Sequence, residues 1–305
     1  MYLENVGIRS IERLEGVPNP LIIRRIRNSA SIISELDRLF LTAICNLLFF
    51  NGLQMILLNL KLCSLTGCSH GCKYCYLKGM GMNHPPKPKK MLYDESGQLS
   101  GQLITPLKFA RDCYRPELKQ LIAENPTVKE KGIFLSFATD PLLLQTIEYT
   151  NAIIKMNARY DVKSVLLTKT SNKSWLIWLR DYFMTLPNYD YEDFKNLIEY
   201  GVTLTGFDEL EPDAAPNRER KKSLQFAKTR KFTTWVSLEP IIDFNKSLEM
   251  IEQSKDFTDY YKIGLHSRKK YARTEALEFK RKVEELLPTG NFEFKNSFKK
   301  LIDEV

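Results

Sequence analysis

The sequence predicts an α/β fold built on a parallel sheet. Short apolar or β-branched runs recur along the chain, longer amphipathic stretches lie between them, and the runs end at Gly, Pro, Asp, Lys or Ser. Alternation of this kind reads as repeated βαβ units with helices outside the sheet. Periodicity leaves open whether the sheet curls into a barrel; if it does, reactive groups belong at the C-terminal ends of the strands.

The strands are expected, in order, at Met55–Leu62, Gly132–Phe137, Lys163–Thr168, Gly201–Thr205, Thr233–Leu238 and Asp259–Ile263. Between them the pattern predicts helices at about 105–124, broken at Pro116, then at 142–158, 173–184, 217–230 and 246–254, with another at 271–287 after the sixth strand. Residues 1–52 precede the first strand and carry no motif. Residues 288–305 read as a basic tail containing FEFKNSFKKL, and the loop Gly79–Lys90 is rich in Gly, Pro and Met. The division expected is therefore an N-terminal extension of unknown role over 1–52, a core over 53–270, and a C-terminal helix with its tail over 271–305.

With 305 residues and 43% hydrophobic content, the chain has ample material for a core. Its 14 Gly, 14 Pro and 11% aromatics exclude a collagenous, low-complexity or disordered chain. A net charge of +8, with local runs at Lys87–Lys90, Arg218–Lys222 and Arg268–Lys270, leans towards a nucleic-acid partner, although such runs are also what a solvated face looks like. Leu39–Leu60 runs 22 residues without a charge, long enough to span a bilayer. It also carries Asn46, Asn51, Gly52, Gln54 and Asn59, so a buried helix at about 36–49, a turn and a buried strand at about 54–62 is the reading adopted. Three of the six cysteines fall within eight residues, and no secretory leader is read at the N-terminus. Metal binding in a reducing, cytoplasmic compartment is expected rather than a disulfide framework.

The cysteine cluster is the central feature. Cys68, Cys72 and Cys75 form a C-x3-C-x2-C spacing. Zinc favours four closed ligands, usually from two separated knuckles. No second CxxC exists, and Cys63 or His70 would have to supply the fourth ligand from the same loop. Three thiolates suit a four-iron, four-sulfur cluster in which one iron lacks a protein ligand and stays open for chemistry. The nearby polar candidates have ordinary readings too. Asp140, just before Pro141, fits a cap on the next helix, Lys169 fits a solvated strand end, and Thr203 and Thr205 offer hydroxyls whose facing is unknown.

The string Gly67–Tyr76 (GCSHGCKYCY) resembles the cysteine motif of the radical SAM superfamily, and in particular that of the spore photoproduct lyase and DNA-repair-photolyase-like branch. Later segments resemble the same branch in order: Ser136–Pro141 (SFATDP), Thr168-Lys169, then Glu211-Pro212, Ala215-Pro216 and Arg220, and Ser237–Ile241 (SLEPI). The likeness covers roughly residues 55–265. It implies an incomplete (β/α)6 TIM-type barrel with an N-terminal helical extension and a C-terminal helix. It also implies a [4Fe-4S] cluster on Cys68, Cys72 and Cys75, with S-adenosyl-L-methionine completing the open iron. Implied contacts to that molecule are Tyr74, Thr139, Asp140, Lys169, Thr203 and Glu239, and Tyr76 is the candidate for a hydrogen-atom relay. A reducing partner such as flavodoxin or ferredoxin follows, with hydrogen-atom abstraction, on nucleic acid, as the reaction class. A peptide or small-molecule substrate is the alternative, and a non-catalytic metal-binding module is the third reading. The chain departs from spore photoproduct lyase in carrying Phe137 where that enzyme has its hydrogen-donor cysteine. No cysteine follows Cys113, which reads as a small buried apolar residue.

Overall fold

The computed structural model describes residues 65–78, 87–88, 105–135, 139–185, 196–267 and 269–303, all within the unit Gln54–Val305. The extension 1–52, the run Leu39–Leu60, the strand expected over Met55–Leu62, most of the loop Gly79–Lys90 and positions 136–138 lie outside the described residues.

Two short strands, β1 (Leu65–Thr66) and β2 (Lys87–Pro88), pair antiparallel on either side of the cysteine loop. The main sheet has six strands: β3 (Ile133–Phe134), β4 (Ser164–Thr168), β5 (Ile198–Thr203), β6 (Thr233–Ile241), β7 (Tyr260–Leu265) and β8 (Phe292–Phe294). They lie side by side in sequence order, every pair parallel. The sheet curls into a half-barrel with helices around it, an incomplete TIM-type barrel.

Five of the predicted strands are present, and the sixth strand of the main sheet comes from the segment read as a tail. A turn over Leu287–Gly290 precedes Phe292–Phe294, and Phe294 enters the main core. The alternation F-E-F-K after a P-T-G-N turn was the available signal; three residues are too few for periodicity to register.

The helices are α1 (Pro106–Phe109), α2 (Arg115–Glu124), α3 (Val128–Lys131), α4 (Ile147–Ala158), α5 (Lys173–Met184), α6 (Asn217–Thr229), α7 (Phe244–Glu252), α8 (Arg273–Leu286) and α9 (Asn296–Asp303). Pro116 does not break the first helical stretch. A π turn over Ala110–Tyr114 joins α1 to α2, and Pro116 falls in the first turn of α2, where a missing N–H costs least. α5 starts where Asn172 Oδ1 accepts the Trp175 N–H at 2.9 Å, and it buries Trp175, Leu176, Leu179 and Phe183 along one stripe. Asp243 caps α7 in the same way, accepting the Lys246 N–H at 2.9 Å.

Alternation along the strands divides the sheet into two unlike faces. Leu166, Tyr200, Val202, Val236, Leu238, Tyr261 and Ile263 join the helix residues Leu176, Leu179, Leu224, Phe279 and Val283 in the apolar core. The opposite, inner face carries the row Leu167, Gly201, Trp235, Tyr260 and, two residues on, the row Thr203, Ser237, Lys262, Glu293. It is far more polar. Tyr260 donates its hydroxyl to Glu199 at 2.7 Å, and Lys163 Nζ meets the other Glu199 oxygen at 2.8 Å. The indole of Trp235 lies across Gly201, where an added Cβ would come within 2.3 Å of the ring. Trp235 and Tyr260 stack with centroids 5.6 Å apart.

Candidate functional site

The cysteine loop lies over the C-terminal ends of β3, β4 and β5 and is held there by two buried carboxylates. The first is Asp140, just past the end of β3. Its Oδ2 faces His70 Nε2 at 2.8 Å and accepts the Lys169 N–H at 2.7 Å. Its Oδ1 accepts the Leu142 N–H at 2.9 Å and the Thr168 hydroxyl at 2.8 Å. Burial alone would raise this carboxyl, but the hydrogen bond and charge of His70, with the two main-chain N–H groups, hold it below its ordinary value. His70 Nδ1 meets the Asp213 carbonyl at 3.2 Å. Both ring nitrogens therefore face oxygen atoms.

The second carboxylate is Glu211, in the loop after β5. It accepts the Tyr74 hydroxyl on Oε1, and on Oε2 it takes the Arg220 guanidinium and the Thr205 hydroxyl, the latter at 3.2 Å. Arg220 is 0% exposed. It donates to the carbonyls of Thr203 at 2.6 Å and Ala215 at 2.7 Å, so a residue that sequence reading left open as an exposed helix charge is an interior strut. Main-chain bonds complete the cradle: Lys73 N–H to the Leu210 carbonyl at 2.8 Å and Asp213 N–H to the His70 carbonyl at 3.2 Å. Gly71 adopts φ of +64°, and a Cβ there would sit 2.8 Å from Asp213 Oδ2, so the close approach requires glycine.

Within the loop Cys72 is buried, while Cys68 and Cys75 are partly exposed. Burial pushes the Cys68 thiol up to about 12 and raises Cys72 as well, while the Lys169 ammonium pulls both down. Lys169 Nζ lies 5.8 Å from the centre of the Tyr74 ring. Burial, then the charge of Glu211, raises the Tyr74 hydroxyl, which stays protonated and donates.

The structure thus brings Cys68, Cys72, Tyr74, Asp140 and Lys169 together. Thr139 is beside them with Oγ1 buried and without a hydrogen-bond partner among the described residues. Thr203 is buried at the end of β5 and lends its carbonyl to Arg220. Glu239, near the end of β6, pairs with Lys295. Tyr76 is 53% exposed, in a 3-10 turn over Tyr76–Lys78. Sequence reading missed Lys262, which is 4% exposed on the inner face; the signal was a lysine inside the apolar strand YYKIGL.

Among the described residues no group of three His, Cys, Asp or Glu side chains converges on a single-ion site. The donor set nevertheless fits an iron–sulfur cluster. Three thiols share one braced loop, and the nearby imidazole and carboxylates are already committed to hydrogen bonds, so none of these stands ready as a fourth ligand.

Comparison of the structure with solved proteins finds Streptococcus suis SuiB bound to S-adenosylmethionine, at a TM-score of 0.52 and 12% identity, over 79% of this chain and 51% of that one. It also finds spore photoproduct lyase complexed with dinucleoside spore photoproduct, at a TM-score of 0.52 and 11% identity, over 76% of this chain and 74% of that one. Both are radical SAM enzymes. The chain has the radical SAM fold. It spans about half the length of SuiB, and neither a protein-family model nor a curated protein matches its sequence. Within the radical SAM fold, the cysteine loop and the strand ends that brace it occupy the end of the barrel where reactive groups were expected. No helix among the described residues is long and apolar enough to cross a membrane.

Proposed function

We propose that this chain is a radical SAM enzyme that abstracts a hydrogen atom from nucleic acid. The observation that carries the reading is the three-thiol loop braced on the strand ends of a radical SAM barrel. Cys68, Cys72 and Cys75 would hold a [4Fe-4S] cluster, which supplies the electron for reductive cleavage of S-adenosylmethionine to a 5′-deoxyadenosyl radical. Lys169, close enough to lower both Cys68 and Cys72, favours their thiolate forms. The same ammonium offers a partner for the carboxylate of S-adenosylmethionine, and the Thr139 hydroxyl, without a partner among the described residues, is an additional polar group at that end of the barrel. Asp140 and Glu211 contribute by fixing the loop, since both oxygens of each already accept from protein donors.

Nucleic acid is favoured as substrate by the net charge of +8 and by the likeness to spore photoproduct lyase, whose complex holds a dinucleoside. A flavodoxin- or ferredoxin-type protein would supply the electron. The test is anaerobic purification, reconstitution with iron and sulfide, reduction, and measurement of 5′-deoxyadenosine against a triple cysteine-to-alanine control. Formation by the wild type alone supports the reading. A reducible cluster that never cleaves S-adenosylmethionine, or zinc in place of iron, overturns it. Salt-sensitive binding to DNA or RNA is the corresponding check on substrate class.

A further inference from the structure

We propose that Glu211 is a positioning residue for the cysteine loop, acting through Tyr74 on the Cys72–Cys75 half. The inference rests on the reading of that loop as a cluster site. The connection runs in single steps. The end of β5 and the Ala215 carbonyl fix the Arg220 guanidinium, Arg220 fixes Glu211, and Glu211 holds the phenol of the residue directly before Cys75. Glu211 is 2% exposed, and Arg220, Thr205 and Tyr74 all face its carboxylate.

The segment that carries Glu211 also ties the main chain of the loop on both sides. Leu210 accepts from Lys73, and Asp213 donates to His70. Three adjacent tethers from one segment, one of them a buried carboxylate, brace the loop through the protein's own bonds rather than through iron. Asp140, from another strand end, gives the Cys68 half a further support through His70 that does not pass through Tyr74. Removing the Tyr74 hydroxyl should loosen the second half and leave the first in place.

The experiment uses the full chain, reconstituted without oxygen, as wild type, Tyr74→Phe and Glu211→Gln. Three quantities are measured: thermal unfolding by circular dichroism, the rate at which a chelator removes iron, and the electron paramagnetic resonance spectrum of the reduced cluster with and without S-adenosylmethionine. Tyr74→Phe removes one oxygen atom and should melt close to wild type. It should lose iron about tenfold faster, with a smaller spectral change on adding S-adenosylmethionine. Glu211→Gln should show the same changes more strongly. Should Glu211→Gln fail to fold, Tyr74→Phe carries the test. A wild type that holds the cluster, with iron release and spectra unchanged in Tyr74→Phe, overturns this inference and leaves the enzyme reading intact. A wild type that holds no iron–sulfur cluster overturns both.

Discussion

Lys262 is an ammonium on the inner face of the half-barrel, 4% exposed, and its removal should stabilise the protein in a pH-dependent way. Burial, reinforced by the charge of Lys295, lowers it from 10.5 to about 8. That drop corresponds to about 3 kcal/mol against the charged form in the folded state. The rings of Trp235 and Tyr260, at 4.8 and 5.6 Å from Nζ, favour the charge. They offset roughly 0.5–2 kcal/mol, leaving a net of about 1–3 kcal/mol. The unfolded chain keeps this proton up to pH 10.5 and the folded chain only to about 8, so the unfolded state binds more protons across that window. Stability from this group therefore rises with pH between those two values and is lowest below the folded pKa. Lys262→Met, which has no proton to lose, should gain on wild type by about 1–3 kcal/mol more at neutral pH than near pH 10. Urea unfolding of both proteins at the two pH values reads the difference directly, since other groups cancel in the subtraction. A stability difference that is the same at both pH values would refute the reasoning.

Two other substitutions test the frame around the site. Gly201→Ala puts a methyl within 2.3 Å of the Trp235 indole, which is stacked on Tyr260 at its other neighbour; a loss of about 1–3 kcal/mol is expected from overpacking, read as a lower melting temperature, and an unchanged one would mean that the indole has room to move. Arg220→Lys keeps the charge but cannot reach the Thr203 and Ala215 carbonyls and Glu211 together. It should cost about 1–3 kcal/mol, the scale for leaving a buried acceptor unsatisfied, and wild-type stability in urea would contradict the strut assigned here.

Much of the fold was legible because its signals are local. The helix expected at 173–184 is found at Lys173–Met184, where a capping asparagine and an apolar stripe coincide. Strand ends were less legible where a residue answered to a distant neighbour. Gly201 looked like the start of a strand, yet β5 begins at Ile198, and the glycine is there because the Trp235 ring passes over it. Pro116 looked like a break, yet the chain widens into a π turn just before it and continues. β8 escaped notice because three residues do not carry a period.

The candidate site divides the same way. The spacing of Cys68, Cys72 and Cys75, and the strand–helix alternation that places the neighbouring motifs at strand ends, are properties of the sequence by itself. The partners of the charged groups are not. His70 and Asp140 are 70 positions apart, and Tyr74 and Glu211 are 137 apart. Each of these side chains has an ordinary solvent-facing alternative that local sequence cannot exclude. Only the tertiary structure buries Asp140, Glu211 and Arg220 together with their partners. Burial makes an unpaired charge so costly that the pairing, once formed, fixes where the cysteine loop sits.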